Sequence, residues 1–136
     1  MRRVLTTFLT AAVIAIPVAD ATASATKTKV VIRKFAGSTV EADRYGPLQV
    51  TITVRKTTTT TGAKTKVARK ITAVSVPVYP NESSRSAFIS ANALPILRSE
   101  ALRAQSANID LVSGATDTSE AFVNSLQSAI LKVKRA

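Results

Sequence analysis

Leu48-Gln49-Val50-Thr51-Ile52-Thr53-Val54 alternates an apolar and a polar side chain at every step. A period of two marks a strand with one face on a core and the other toward water. Toward the N-terminus, Gly37 and the polar residues 41–43 interrupt the pattern before Tyr45-Gly46-Pro47. Ahead of that break, β-branched content over residues 30–35 predicts a first strand. Residues 22–29, rich in Ala, Thr and Ser, read as a flexible leader. Toward the C-terminus a further strand is expected over about 67–78, with Val74, Val76 and Val78 on one face. Pro77 has no N–H to give, which marks an edge or a ladder end. Between these strands lie Thr57 to Thr61, flanked by Arg55, Lys56, Lys64 and Lys66. They predict a polar hairpin loop or a lengthened ribbon tip, since threonine favours strand.

Beyond the strands the period changes. Residues 81–84 supply several N-caps, and Phe88, Ile89, Ala93, Ile96 and Leu97 follow near helical spacing. Pro95 falls inside this pattern, where it either kinks the helix or opens a second one at its first turn. Asn108-Ile109-Asp110 closes the helical region. A last helix is expected over about 118–134, its apolar stripe formed by Phe122, Leu126, Ala129, Ile130 and Val133. Lys132, Lys134 and Arg135 suit the negative end of its dipole. Strands followed by helices give an α+β domain, a small antiparallel sheet with two or three helices packed against it.

Composition narrows the chemistry. The 136 residues include no histidine and no cysteine. Ser–His and Cys–His nucleophile pairs, ordinary zinc or haem sites and disulfides are therefore outside this chain's means. Met1-Arg2-Arg3, an apolar run to Val18 and small residues at Ala19-Asp20-Ala21 or Ala23-Ser24-Ala25 read as an export signal. The run is too short to span a bilayer, which needs roughly 20 residues. Removing residues 1–21 takes Arg2, Arg3 and Asp20 away and leaves a net charge of +10. Such a balance suits anionic lipid, a wall polymer or a merely solubilising surface. Export argues against nucleic acid, as does the absence of aromatics among the basic runs.

Ser113-Gly114-Ala115-Thr116 crowds four small residues just before the last helix. Small residues let backbone amides approach a bulky anion, and a helix N-terminus adds unpaired N–H groups and a positive dipole end. The alternative is an ordinary turn into a helix closed by a capping box of Asp117 and Glu120. Asp110-x-x-Ser113-Gly114-Ala115-Thr116-x-Thr118-Ser119 resembles the signature of the FMN-binding domain family. The likeness extends through Arg44-Tyr45-Gly46-Pro47-Leu48-Gln49-Val50, Lys70 to Val74, Tyr79-Pro80-Asn81-Glu82 and Ala104-Gln105-Ser106. Family members often use a much shorter turn where this chain has residues 55–66, so the chain departs from the pattern there.

The resemblance implies FMN carried on Thr116 through a phosphoester bond, installed by a flavin transferase from FAD with Mg²⁺. Taken with the export signal, it divides the chain into a signal peptide over 1–21 (cleavage as late as 25), a leader and first strand over 22–37 and an FMN-binding domain over 38–136. Around Thr116, backbone amides from Ala115 to Ser119 are expected to face the phosphate. Gly114 permits the close approach, and Ser113 and Thr118 offer hydroxyls. Asp110 and Asp117 do not fit as phosphate ligands, because like charges repel. Asp110 is assigned to recognition by the transferase, the alternative being a turn residue. Tyr45 and Gly46 are expected to wall the isoalloxazine, with Tyr79 second; the alternative for both tyrosines is packing at a sheet edge. No metal ligand and no catalytic residue is expected. The function implied is an extracytoplasmic flavoprotein relaying electrons to a membrane or envelope redox partner. Alternatives are an exported flavin reductase and a noncatalytic basic envelope-binding domain.

Overall fold

A computed structural model describes residues 25–136. The elements are β1 (Thr26–Ala36), β2 (Val40–Glu41), a 3-10 turn (Asp43–Tyr45), β3 (Pro47–Thr61), β4 (Lys64–Val78), α1 (Ser84–Ala104) and α2 (Thr116–Arg135). The architecture is α+β: a four-stranded antiparallel sheet and two helices. β3 is its centre and pairs with β1, β2 and β4. Val40 stands opposite Leu48 and Glu41 opposite Pro47. The expected signal segment lies outside the described residues.

The described chain forms two compact units, residues 33–54 with 71–136 and residues 25–32 with 55–70. The first of these holds the core. Leu48, Val50, Ile52 and Val54 are all buried, so the alternation in β3 reports its core face directly. Ala93, Leu94, Leu97 and Ala101 of α1 and Ala121, Phe122, Leu126, Ala129 and Val133 of α2 join it, with Ile71 and Val74 of β4 and with Ala42, Ala107 and Ala115. Ile130 packs half-buried against that cluster. α1 packs on α2, and α2 on β2.

One close approach fixes α2 against the sheet. A Cβ on Gly37 would overlap the Ser125 carbonyl oxygen, so only glycine lets the strand come this near. The Gly37 N–H bonds the Val50 carbonyl at 2.7 Å. The Val50 N–H instead donates to Ser125 Oγ at 2.8 Å, and that hydroxyl donates to the Ser38 carbonyl at 2.7 Å. Ser125 thus fills a gap in the ladder where β1 has ended and β2 has not begun. The Ser38 N–H donates to Ser128 Oγ, and Lys132 Nζ to the Ala36 carbonyl, each at 2.6 Å.

α1 runs unbroken through Pro95, so the second helix considered there does not exist. Ser83 caps it with a reciprocal box to Ser86. Its inward face differs from the expected one. Ser86, Ser90, Ala93, Leu94, Leu97 and Ala101 point inward, while Phe88 is 70% and Ile96 51% exposed. The two serines bury at no penalty because their hydroxyls are bonded, Ser90 to the Pro80 carbonyl at 2.7 Å and Ser86 to the Ser83 carbonyl at 3.1 Å. α1 ends at Ala104, so Asn108 to Asp110 belong to the connection rather than to the helix. Gln105, in the left-handed region at φ 55°, closes α1. Its side-chain amide grips β4 by both backbone groups of Ile71, at 2.7 and 2.9 Å. Among the described strands β4 pairs with β3 alone, so Pro77 does sit on an edge strand. Ile71 and Val74 are its buried residues, and Val78, expected inward, is exposed.

The other unit is a ribbon. β1 begins at Thr26, so residues 26–29 are strand rather than leader. β3 and β4 continue to Thr61 and from Lys64, leaving Gly62-Ala63 as a two-residue turn. Gly62 has φ 60°, which the first central position of a II′ hairpin turn requires. The threonine run is therefore the arm of a lengthened ribbon.

Candidate functional site

The segment between α1 and α2 ends in a turn in which the Ala115 N–H bonds the Val112 carbonyl at 3.0 Å. Gly114, its third residue, has φ 80°, and among the described residues no atom beyond its chain neighbours lies within 4 Å of where its Cβ would stand. A side chain is excluded there by the backbone rather than by crowding. Ser119 holds this turn from the helix side. Its hydroxyl accepts from the Val112 N–H at 3.0 Å and donates to the Ala115 carbonyl at 2.6 Å, and the residue is fully buried. Ser119 is accordingly the fastener of the loop.

α2 starts earlier than its periodicity suggests, with Thr116 as its first residue and Ala115 as N-cap. No side chain caps it, so the Asp117–Glu120 box is absent. The Ser119 N–H already bonds the Ala115 carbonyl. The amides of Thr116, Asp117 and Thr118 are left with no acceptor inside the helix. Thr116 is exposed, as are Ser113 and Gly114, whereas Ala115 is buried. Thr118 is buried to 1% exposure, and among the described residues its Oγ1 has no hydrogen-bond partner. A buried hydroxyl without a partner costs about 1–3 kcal/mol. An uncapped helix end beside it is a place where an anion would satisfy several donors at once.

The 3-10 turn brings Arg44 and Tyr45 to α2, which packs on that turn. The Arg44 guanidinium lies 5.5 Å from the Tyr45 ring centroid. Arg85 and then Arg44, beside the phenol, hold Tyr45 below the usual phenol range. Arg44 in turn is raised, chiefly by Tyr45, then by Asp43 and more weakly by Asp117 at the start of α2. Arg85 stands in the first turn of α1, where the dipole disfavours a cation. Two guanidiniums thus converge on one phenol. Gly46, at φ 123°, lies 3.7 Å (from its would-be Cβ) from Pro80 and from Glu82 Oε2. The fold therefore gathers Arg44 to Gly46, Pro80 to Glu82 and the head of α2, three stretches far apart in the chain. Arg85 carries no sequence signal of this role, since a lone arginine after serines reads as surface.

Tyr79 is placed differently. It is partly exposed and lines an open groove of about 520 Å³ with Val76, Leu94, Pro95 and Arg98, between the end of β4 and α1. Asp110 is exposed at the foot of the motif loop. Among the described residues no cluster of acidic side chains could hold a metal ion.

A sequence profile described as FMN-binding domain matches residues 44–131, and the chain belongs to that family. It is an FMN-binding flavoprotein domain. No curated protein matches the chain.

Proposed function

We propose that Thr116 carries FMN through a phosphoester bond and that the domain relays electrons outside the cytoplasmic membrane. One observation supports this reading above the others: an exposed threonine heads an uncapped helix whose buried Thr118 hydroxyl lacks a partner. Those residues fit a phosphodiester. The free amides of Thr116, Asp117 and Thr118 would face its oxygens, the Thr118 hydroxyl would donate a further bond, and the dipole of α2 would add to both. Ser113 can donate from the rim, and Asp110 stands exposed for an enzyme to recognise. Tyr45 and Gly46, at the corner that packs on α2, are the wall for the ring system.

A threonine hydroxyl is a weak nucleophile without an activating base or metal, and no histidine or cysteine exists here. Activation belongs to a transferase that uses FAD and Mg²⁺. The Thr116 oxygen bonds the flavin-side phosphorus of FAD, the bond to AMP breaks, and the threonine proton passes to the transferase. FMN supplies one- and two-electron transfer when bound, and the tether keeps it on a protein outside the membrane, where free cofactor would be diluted away.

The reading is tested by coexpression with an FAD-dependent flavin transferase, followed by denaturing electrophoresis under ultraviolet light. Wild type is expected to retain flavin fluorescence after denaturation, Thr116→Ala to lose it and Ser113→Ala to keep it. Fluorescence persisting in denatured Thr116→Ala would overturn the attachment site.

A further inference from the structure

The ribbon formed by residues 25–32 and 55–70 contains Lys27, Lys29, Arg55, Lys56, Lys64, Lys66, Arg69 and Lys70, and no acidic residue. Every residue from Thr61 to Lys70 is exposed, as are residues 25–30. Val30, Ile32 and Val67 stand in water as well, Ile32 at 65% exposure. No face of this ribbon contributes to the apolar core, whose members all lie in residues 33–54 and 71–136.

The charges divide between two faces. Thr26 Oγ1 touches Thr61 Oγ1 at 3.2 Å, which puts these residues on one side of the sheet. The two-residue turn sets Lys64 beside Thr61 on that same side. Strand alternation then places Arg55, Lys64, Lys66 and Lys70 on this face and Lys27, Lys29, Lys56 and Arg69 on the other. Neighbouring cations along a strand, such as Lys64 and Lys66, stand about 7 Å apart.

We propose that this ribbon binds a flexible linear polyanion, a polymer bearing phosphodiester charges along a single chain. A planar bilayer can meet one face of a ribbon and leaves the other four cations in water. A flexible chain can pass from one face to the other and neutralise both. The ribbon has no aromatic side chain, so it offers bases nothing to stack on. This favours a phosphate polymer without bases over a nucleic acid. The proposal concerns the ribbon alone and does not depend on how the flavin is held.

The test uses the protein as its native host produces it, with poly(glycerol phosphate) as the probe and binding followed by fluorescence anisotropy. Binding is expected at low salt, with log K falling linearly as log salt rises, because each neutralised phosphate releases counterions. Two variants separate the geometries: Lys27, Lys29, Lys56 and Arg69 all to Gln, and Arg55, Lys64, Lys66 and Lys70 all to Gln. Each is expected to weaken binding at least tenfold, with circular dichroism unchanged. The salt series on wild type stands even where a variant folds poorly. No binding at low salt would overturn the proposal and leave a solvated surface. Loss confined to one variant, with tighter binding to phosphatidylglycerol vesicles, would overturn it in favour of a bilayer. Single-stranded DNA bound more tightly at equal phosphate would overturn it in favour of nucleic acid.

Discussion

Thr118 and Tyr45 are the residues at which the site can be tested one side chain at a time. The unpartnered Thr118 hydroxyl is a cost borne by the flavin-free protein. Thr118→Val removes that hydroxyl and keeps the shape, so the flavin-free protein should gain about 1–3 kcal/mol. In the loaded protein the gain should vanish, because the hydroxyl is then bonded. Urea unfolding of both forms measures this; an equal gain in each would show that the hydroxyl never meets the phosphate. Tyr45 gives a pH signature. Its phenol is depressed chiefly by Arg85 and next by Arg44. A depressed acid adds stability above the unfolded phenol range, and that contribution fades as pH falls through the folded value. In a Tyr79→Phe background Tyr45 is the sole phenol. Ultraviolet difference titration should then find its midpoint below 10, the ordinary phenol value. Arg85→Gln should move it upward, and a midpoint unmoved by that change would remove Arg85 from the site.

At the scale of elements, the close approach of α2 to Gly37 is the most exacting contact. Gly37→Ala drives a methyl into the Ser125 backbone, which cannot swing away as a side chain would. Overpacking of this kind costs about 1–3 kcal/mol. Ser125→Ala leaves the buried Val50 N–H without its acceptor and should cost a similar amount, about 1–3 kcal/mol. Thermal melts of both variants check the pair, and an unperturbed melting temperature in Gly37→Ala would contradict the geometry. The same scale shows what the sequence made legible. β3 was readable because its alternation is complete, and α2 because Phe122, Leu126, Ala129 and Val133 make one stripe. The inward face of α1 was not readable: it includes Ser86 and Ser90, whose burial depends on bonds that only tertiary structure supplies. The head of α2 was misplaced because Asp117 and Glu120 imitate a cap while the true N-cap is Ala115. The first residues of β1, 26–29, hid in a polar Lys/Thr stretch, since their pairing with β3 is non-local and leaves no apolar pattern. Thr116, Gly114 and Ser113 were legible as a motif, but the convergence of Arg44, Arg85 and Tyr45 depends on pairings that no local pattern records.

Taken as a whole molecule, the domain builds its core from apolar side chains that do not include Thr116, the proposed attachment residue. Thr116→Ala should therefore fold with a melting temperature close to that of flavin-free wild type, so loss of flavin in that variant reports chemistry rather than unfolding. Among the described residues no helix is long and apolar enough to cross a membrane. The export signal read over residues 1–21 predicts that N-terminal sequencing of the native protein finds a start after Ala21 or Ala25. The most direct test of the central claim is the mass of the protein purified from its native host, with the peptide carrying residues 104–132 sequenced by fragmentation. The mass should exceed that of the polypeptide by one FMN less one water, with the added group on Thr116. An unmodified Thr116 in protein from a host with an active transferase, or a flavin on any other residue, would contradict it.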